Sequence, residues 1–386
     1  MTWDDDRRAR AALGAVCVPG DPWLREALGR ADAPEVWGRL RGGDGDGPRR
    51  RRAACLDLPA LLARSEQVGV RFVVPGDDEW PAGLDDLVLV PETGGGPPVG
   101  LWVLGPADLA MACRRSVAVV GSRAASAYGQ DVATNLGYDL ARVRGEGGHD
   151  DVESPWCVVS GGAFGIDVAA HRGALAAGGV TVCVQAGGLD APYPRGNAVV
   201  LEAMARSGAL VSEVPVGTTP TRPAFLARNR LIAAMSQGTV LVEAGVRSGA
   251  LNTTTWASSI LRPVMAVPGP VTSSTSRGPH RLLRDGEAIL VRDADDVRSV
   301  VGPLQPELPR DPGPTRPTDA LSGALLMVHE VLPARGTMSV DEVAMRSGLR
   351  VPECLDLLEC LDARGMAGRA SDGTWSVTLA GRGAVR

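Results

Sequence analysis

The sequence predicts an α/β protein built on a Rossmann-like, doubly wound, mostly parallel sheet, with a small helical N-terminal region and a C-terminal winged-helix domain. Three observations carry that prediction. Six short apolar runs between residues 117 and 267 alternate with helical segments, and each run is near-continuously apolar. Strands of that kind belong to a parallel sheet covered by helices on both faces. Ser/Gly-rich turns follow three of the runs, at the strand ends where such a sheet opens its ligand crevice. Six prolines between Pro303 and Pro317 then mark a linker, beyond which the pattern changes to three helices and a turn.

Residues 1–70 read as short helices, with apolar faces at Ala11 to Val16, Trp23 to Leu28 and Leu58 to Ala63. Gly42 to Arg52, a Gly/Asp run followed by four arginines, reads as a solvated loop, with nucleic acid as the alternative contact. The Rossmann-like domain is placed at 71–302. Its runs are Val117 to Val120, Trp156 to Val159, Val180 to Val184, Ala209 to Val211, Thr239 to Val242 and Val264 to Val267. The linker is placed at 303–318 and the winged helix at 319–386. There Ala320 to Leu332, Val340 to Ser347 and Val351 to Ala363 read as helices, and Ser371-Asp372-Gly373-Thr374 as a hairpin turn.

The chain has 386 residues, a net charge of -5 and no lysine, so all 40 basic residues are arginine. Its richness in Ala, Gly and Val makes this a codon bias; only the placement of arginine is informative. The first ten residues carry Asp4, Asp5 and Asp6 and no apolar run, which argues against a signal peptide. No run approaches the ~18 apolar residues of a membrane span. The seven cysteines lack a C-x-x-C pair and fit a reducing cytoplasm, with Cys157 and Cys183 as buried thiols. The four histidines have no metal-ligand spacing, so no metal is expected.

The three turns are Gly121-Ser122-Arg123, Ser160-Gly161-Gly162-Ala163-Phe164-Gly165 and Glu243-Ala244-Gly245-Val246-Arg247-Ser248-Gly249-Ala250. Glycines let the backbone approach a ligand, and the amides of the following helix starts point at an anion. None of the turns is G-x-G-x-x-G or a P-loop, so no nicotinamide cofactor, ATP or other cofactor is expected. Between Arg222 and Arg284 stand eight arginines and a single acid, Glu243. A basic band in an acidic chain points to an anionic ligand. Within it Phe225, one of three phenylalanines, lies between Arg222 and Arg228-Asn229-Arg230. One reading stacks Phe225 on a base while guanidinium groups hold phosphates; the other puts Phe225 in the core. Asp167 and His171, four apart, read as a helix start and a satisfied imidazole rather than an acid–base pair. Asp190, Tyr193 and Arg195 fit a crevice wall or a rigid loop equally. Glu243 reads as an arginine partner that fixes its loop. No catalytic constellation is evident.

Together these runs resemble the DNA-processing protein A family (DprA, also called Smf). The resemblance rests on Val119-Val120-Gly121-Ser122-Arg123, on Ser160 to Leu175, on Gly188-Leu189-Asp190 with Tyr193-Pro194-Arg195, and on Phe225 to Ile232. It continues through Val242-Glu243-Ala244, Arg247 to Thr253, Val267 to Val271 and Ser276 to His280, and more weakly upstream to Phe72. It implies a cytoplasmic, usually dimeric, single-stranded-DNA-binding mediator that helps load RecA, with Arg123, Arg222, Phe225 and Arg228 in the groove. Phe164 stands where the family usually has arginine, and Leu226 where proline usually follows the phenylalanine. The third helix after the linker carries Glu353, Asp356, Glu359 and Asp362, which would repel phosphate, so the winged helix reads as a protein-contact module.

Taken together, the expected DNA-binding set is Gly121, Ser122, Arg123, Ser160, Gly161, Gly162, Arg222, Phe225, Arg228, Asn229, Arg230, Arg247, Ser248 and Gly249. The expected function is a recombination mediator that protects single-stranded DNA and passes it to RecA, as in natural transformation. The alternative is a nucleotide-binding enzyme of phosphoribohydrolase type, with Glu243 beside the Arg247-Ser248-Gly249 helix start.

Overall fold

A computed structural model describes residues 3–90, 95–143, 154–302 and 317–378. The chain divides into two compact units, Met1–Gln305 and Pro306–Arg386. The proline-rich linker expected at 303–318 lies almost wholly outside the described residues.

The first unit begins with five helices: α1 (Asp5–Val16), α2 (Pro22–Leu28), α3 (Ala33–Gly42), α4 (Gly47–Cys55) and α5 (Leu58–Val68). Each starts on an aspartate, namely Asp4, Asp21, Asp32, Asp46 or Asp57, whose carboxylate accepts a backbone N–H of the first turn. Proline follows within two residues in the last four, where its missing N–H costs nothing. This start signal overrides the loop reading of Gly42 to Arg52: Asp46 and Pro48 launch α4 through the arginine run. Arg49 then donates to Asp21 at 2.8 and 2.7 Å and lies over the Trp23 ring at 5.2 Å, while Arg52 donates to the Val16 carbonyl. Two of the four arginines are therefore structural.

Next come β1 (Arg71–Val73), β2 (Leu101–Leu104), α6 (Leu109–Arg114), β3 (Ser116–Val120), α7 (Ala127–Ala141), β4 (Cys157–Gly161), α8 (Ile166–Ala176) and β5 (Thr181–Gln185). They are followed by α9 (Ala198–Ser207), β6 (Ala209–Ser212), α10 (Arg222–Ala234), β7 (Thr239–Leu241), α11 (Ala250–Ser259), β8 (Val264–Ala266), α12 (Arg277–Arg284), β9 (Ile289–Leu290) and α13 (Ala294–Val301). The sheet order is β1-β2-β6-β5-β4-β3-β7-β8-β9. All pairings from β6 to β9 are parallel, and β1 and β2 add an antiparallel edge. All six apolar runs are strands. The three other strands, β1, β2 and β9, lie in no run and occupy the sheet's two margins, where strands are shorter or half covered.

Both faces of the sheet are covered, as continuous apolar strands require. Val117, Val119, Val158 and Val240 pack toward α7, α8 and α13; Ala118, Val120, Val159 and Leu241 pack toward α10 and α11. The N-terminal helices have their own small core around Leu13, Val36 and Leu40. They join the sheet's antiparallel edge through Leu62, Phe72 and Trp102, with the last two rings 4.5 Å apart.

The second unit contains α14 (Gly323–Val331), α15 (Val340–Ser347), α16 (Val351–Ala363) and the antiparallel pair β10 (Ala367–Arg369) and β11 (Trp375–Val377). The unit thus runs as three helices followed by a hairpin. Leu358, Leu361, Val343, Val328 and Trp375 form its core.

A buried ion pair ties the first unit together. Arg230 on α10 has no exposed surface; it donates to Glu213 at 2.7 and 2.6 Å and to the Gly96 carbonyl at 3.0 Å. Removing one partner of such a pair strands the other. Arg230→Met should therefore cost about 3 kcal/mol, and adding Glu213→Met should recover much of it. Denaturant unfolding of the two variants checks this; a single variant as stable as the parent would show that the pair carries no such role.

Candidate nucleic-acid interface

The three predicted turns meet at the carboxyl ends of β3, β4 and β7. Backbone bonds align them: Ser122 N donates to the Glu243 carbonyl at 2.7 Å, and Ile166 N to the Ser122 carbonyl at 3.2 Å. Gly165, with φ +78°, makes the close crossing, because a Cβ there would strike the Ser122 carbonyl. Helix α10 starts beside them, capped by Thr221.

Between these loops and α10 lies an open recess. Its walls are aromatic. Phe225 is half-buried, its ring 5.7 Å from that of Tyr193, and the Arg123 guanidinium sits 5.0 Å over its face. Phe164 adds a ring that is 49% exposed. Phe225 is thus a recess wall, not a core residue. Tyr193 belongs to the same wall, while Asp190 behind it fixes a loop by accepting from Arg64 and Gly217 N, both at 2.6 Å.

The floor is polar. Arg228 is 8% exposed and donates through Nη1 to the Val184 carbonyl and through Nε to Asn229 Oδ1. Gly161 leaves space for it, since a Cβ there would collide with the guanidinium. Arg222 and Arg247 are exposed, do not line the recess and have no ion-pair partner among the described residues; Ser248 and Gly249 precede the following helix.

Three of the expected contact residues stand elsewhere. Arg230 is interior, paired with Glu213. Its neighbour two positions back faces the recess, and two residues turn a helix by about 200°. Ser160 is fully buried and donates to the Val119 carbonyl at 2.6 Å, so it fastens β4 to β3. Asn229 donates to Asn252 Oδ1 and the Gly249 carbonyl, which pins the β7 turn to α10. Gln185, at the last position of β5, was not singled out by the sequence, yet it lines the floor. Its only signal there is a polar residue closing an apolar strand.

Glu243 is not an arginine partner. Its buried carboxylate accepts from Ser126 N at 2.9 Å, Ser126 Oγ at 2.6 Å and Thr275 Oγ1 at 2.9 Å. It cross-links three loops from beneath. Asp167 and His171 are also interior. His171 Nε2 donates to the Gly161 carbonyl at 3.0 Å, and Nδ1 lies 2.7 Å from Thr181 Oγ1. Burial pushes His171 down to about 4, and it pushes Asp167 up to about 6 against the attraction of Arg228. Among the described residues no group of three or more His, Cys, Asp or Glu is placed to hold a metal, and no helix is long and apolar enough to cross a membrane.

The profile of the family described as DNA recombination-mediator protein A matches residues 71–302. A Mycobacterium tuberculosis protein named for DNA processing, DprA, is 43% identical over 396 residues, covering 98% of this chain and 96% of its own. The DNA processing protein DprA of Bacillus subtilis is 32% identical over 62% of this chain and 74% of its own. The solved structure of DNA processing protein A from Streptococcus pneumoniae superposes with a TM-score of 0.62 at 28% identity, covering 79% of this chain and all of that one.

The buried pair Asp167 and His171 makes a pH prediction. His171, held neutral, stabilises the fold above pH ~6.5, and this is lost as pH falls toward 4. Asp167 has the opposite sign: its raised value favours the folded state at low pH, and this is lost as pH rises through about 6. The two nearly offset between pH 7 and pH 4. Asp167→Asn should therefore add about 2 kcal/mol to the stability lost over that interval. Urea unfolding at both pH values measures it, and an unchanged difference would contradict the assignment.

Proposed function

The chain belongs to the DNA recombination-mediator protein A family, and on that premise we propose that it is a single-stranded-DNA-binding protein that protects DNA and passes it to a RecA-type recombinase. The observation that carries the reading is Phe225, an aromatic half-buried in a recess and flanked by Arg123 and Tyr193. A ring beside guanidinium groups accepts any base by stacking and the backbone by charge. Arg123, Arg222, Arg228, Arg247, Ser248 and the amides of Gly121, Ser122, Gly161, Gly162 and Gly249 are the proposed contacts. Arg230, Ser160 and Asn229 support them from behind. A phosphoribohydrolase is the weaker reading, because Glu243 is buried under its loops and occupied by Ser126 and Thr275.

The protein acts in the cytoplasm, as a homodimer. Support for a second copy comes from β9, an edge strand whose Ile289 and Leu290 are about half exposed. On α16 the residues Asp356, Glu359 and Asp362 are exposed, which favours a protein partner for the winged helix over DNA.

Fluorescence anisotropy with oligo-dT and an equal-length duplex tests the binding reading. Single strands should bind more tightly, and log K should fall with log[salt] at about -0.7 per phosphate contact. Phe225→Ala should weaken binding by about 1–3 kcal/mol while the melting temperature stays near the parent's, since the ring is not core. Tighter duplex binding, or a salt-independent affinity, would sink the proposal. A chain ending at Gly302 should stay folded and keep most of this affinity, because the first unit has its own cores. A loss of tenfold or more, about 1.4 kcal/mol, in a folded truncation would make the winged helix a DNA-binding element.

A further inference from the structure

Phe164 is the aromatic residue of the recess that the contacts above leave unused. It lines the recess and is 49% exposed. Phe225 already carries the Arg123 guanidinium over its face and meets the Tyr193 ring at 5.7 Å. Among the described residues no other ring and no guanidinium lies against Phe164. Its Cε1 and Cζ rest on Gly196, where a Cβ would stand 2.9 Å from each. Gly196 has no left-handed φ, so what glycine supplies there is room for the ring and not a backbone conformation. The turn that carries Phe164 is fastened on both sides. Ile166 N donates to the Ser122 carbonyl at 3.2 Å, and buried Asn197 donates through Nδ2 to the Gly162 carbonyl at 2.9 Å. A side chain on such a fixed turn loses little freedom when a ligand arrives. Arg195, next to Gly196 in the chain, is exposed and has no ion-pair partner among the described residues.

We propose that Phe164 is a second stacking platform, which takes a further base of the strand bound at Phe225. The proposal rests on the single-stranded-DNA reading above. A ring that served packing alone would be covered, and this one is left nearly half exposed on the wall of a ligand recess. A base laid on it removes apolar area from water. Every base has a π-face, so this contact is indifferent to sequence. The rings then divide the task between two elements. Phe225, on α10, works beneath Arg123 and beside Tyr193, while Phe164, on the turn after β4, stands apart from both rings. Arg195 supplies a cation for the backbone of the same strand, a contact that positions and does not read sequence.

Oligo-dT and an abasic strand with the same number of phosphates separate stacking from charge, titrated at several salt concentrations against the full chain and three variants. Phe164→Ala and Phe164→Leu should each bind oligo-dT roughly tenfold more weakly than the wild type. Leucine keeps an apolar side chain on Gly196 and lacks the ring. Phe164→Tyr keeps the ring and should stay within about twofold of the wild type. On the abasic strand all four proteins should agree within about twofold, because no phosphate contact has been removed. For the same reason the slope of log K against log[salt] should be common to all four. The wild type should itself prefer oligo-dT to the abasic strand, an arm that needs no variant to fold. Undiminished oligo-dT binding by Phe164→Ala or Phe164→Leu would overturn the proposal. So would a loss of equal size on both strands, which would make the ring a packing residue, or a wild type that binds the two strands equally. Failure of the parent reading is distinct: the wild type would bind neither strand, or duplex would compete better than oligo-dT.

Discussion

The crevice depends on one buried cation. Arg228 projects from α10 against the end of β4, where Gly161 leaves the space that a Cβ would fill. Burial penalises its charge, and the Asp167 carboxylate, which reaches the same space over Gly161, offsets that penalty. A guanidinium keeps its charge under any accessible condition, so the protein must supply counter-charge and acceptors instead. It does so with one carboxylate, the Val184 carbonyl and Asn229. Gly161 and Gly162 follow from that demand: their first service is to let Arg228 and Gln185 reach the floor.

Helix α10 distributes its residues by the 100° turn per position. Phe225 and Arg228 share the recess face, being three apart. Asn229 reaches across to the β7 turn, and Arg230 points into the interior to meet Glu213. One helix thus supplies an aromatic wall, the cationic floor, the loop clamp and the tie to the N-terminal segment at Gly96. Arginine residues two apart serve unrelated ends, one facing the recess and one holding the fold.

The loops above the floor are held from below in the same manner. Glu243 joins the β7 turn to the start of α7 and to the segment at Thr275 through three neutral donors. The turns that carry Arg123 and Arg247 therefore stand on a shared carboxylate. This is a positioning task, which explains an acid in a band otherwise free of negative charge.

The sequence by itself determined the sheet, because strands buried on both faces must be apolar throughout, and all six runs are strands. It also determined which turns meet, since parallel strands put their carboxyl ends on one side, and it singled out Phe225 while leaving its ring open between crevice and core. Helix α4 was present in the sequence too, in Asp46 and Pro48, but was obscured by the polar run between them and Cys55. The tertiary structure alone decided the fate of each polar residue. Arg228 against Arg230, Ser160 in the sheet, Glu243 beneath its loops and Gln185 on the floor differ in what surrounds them, not in type or local pattern. Periodicity reports which face of an element is apolar; whether a polar side chain on that element meets solvent, a ligand or a buried partner depends on segments far away in the chain, such as Glu213, Gly96, Ser126 and Thr275.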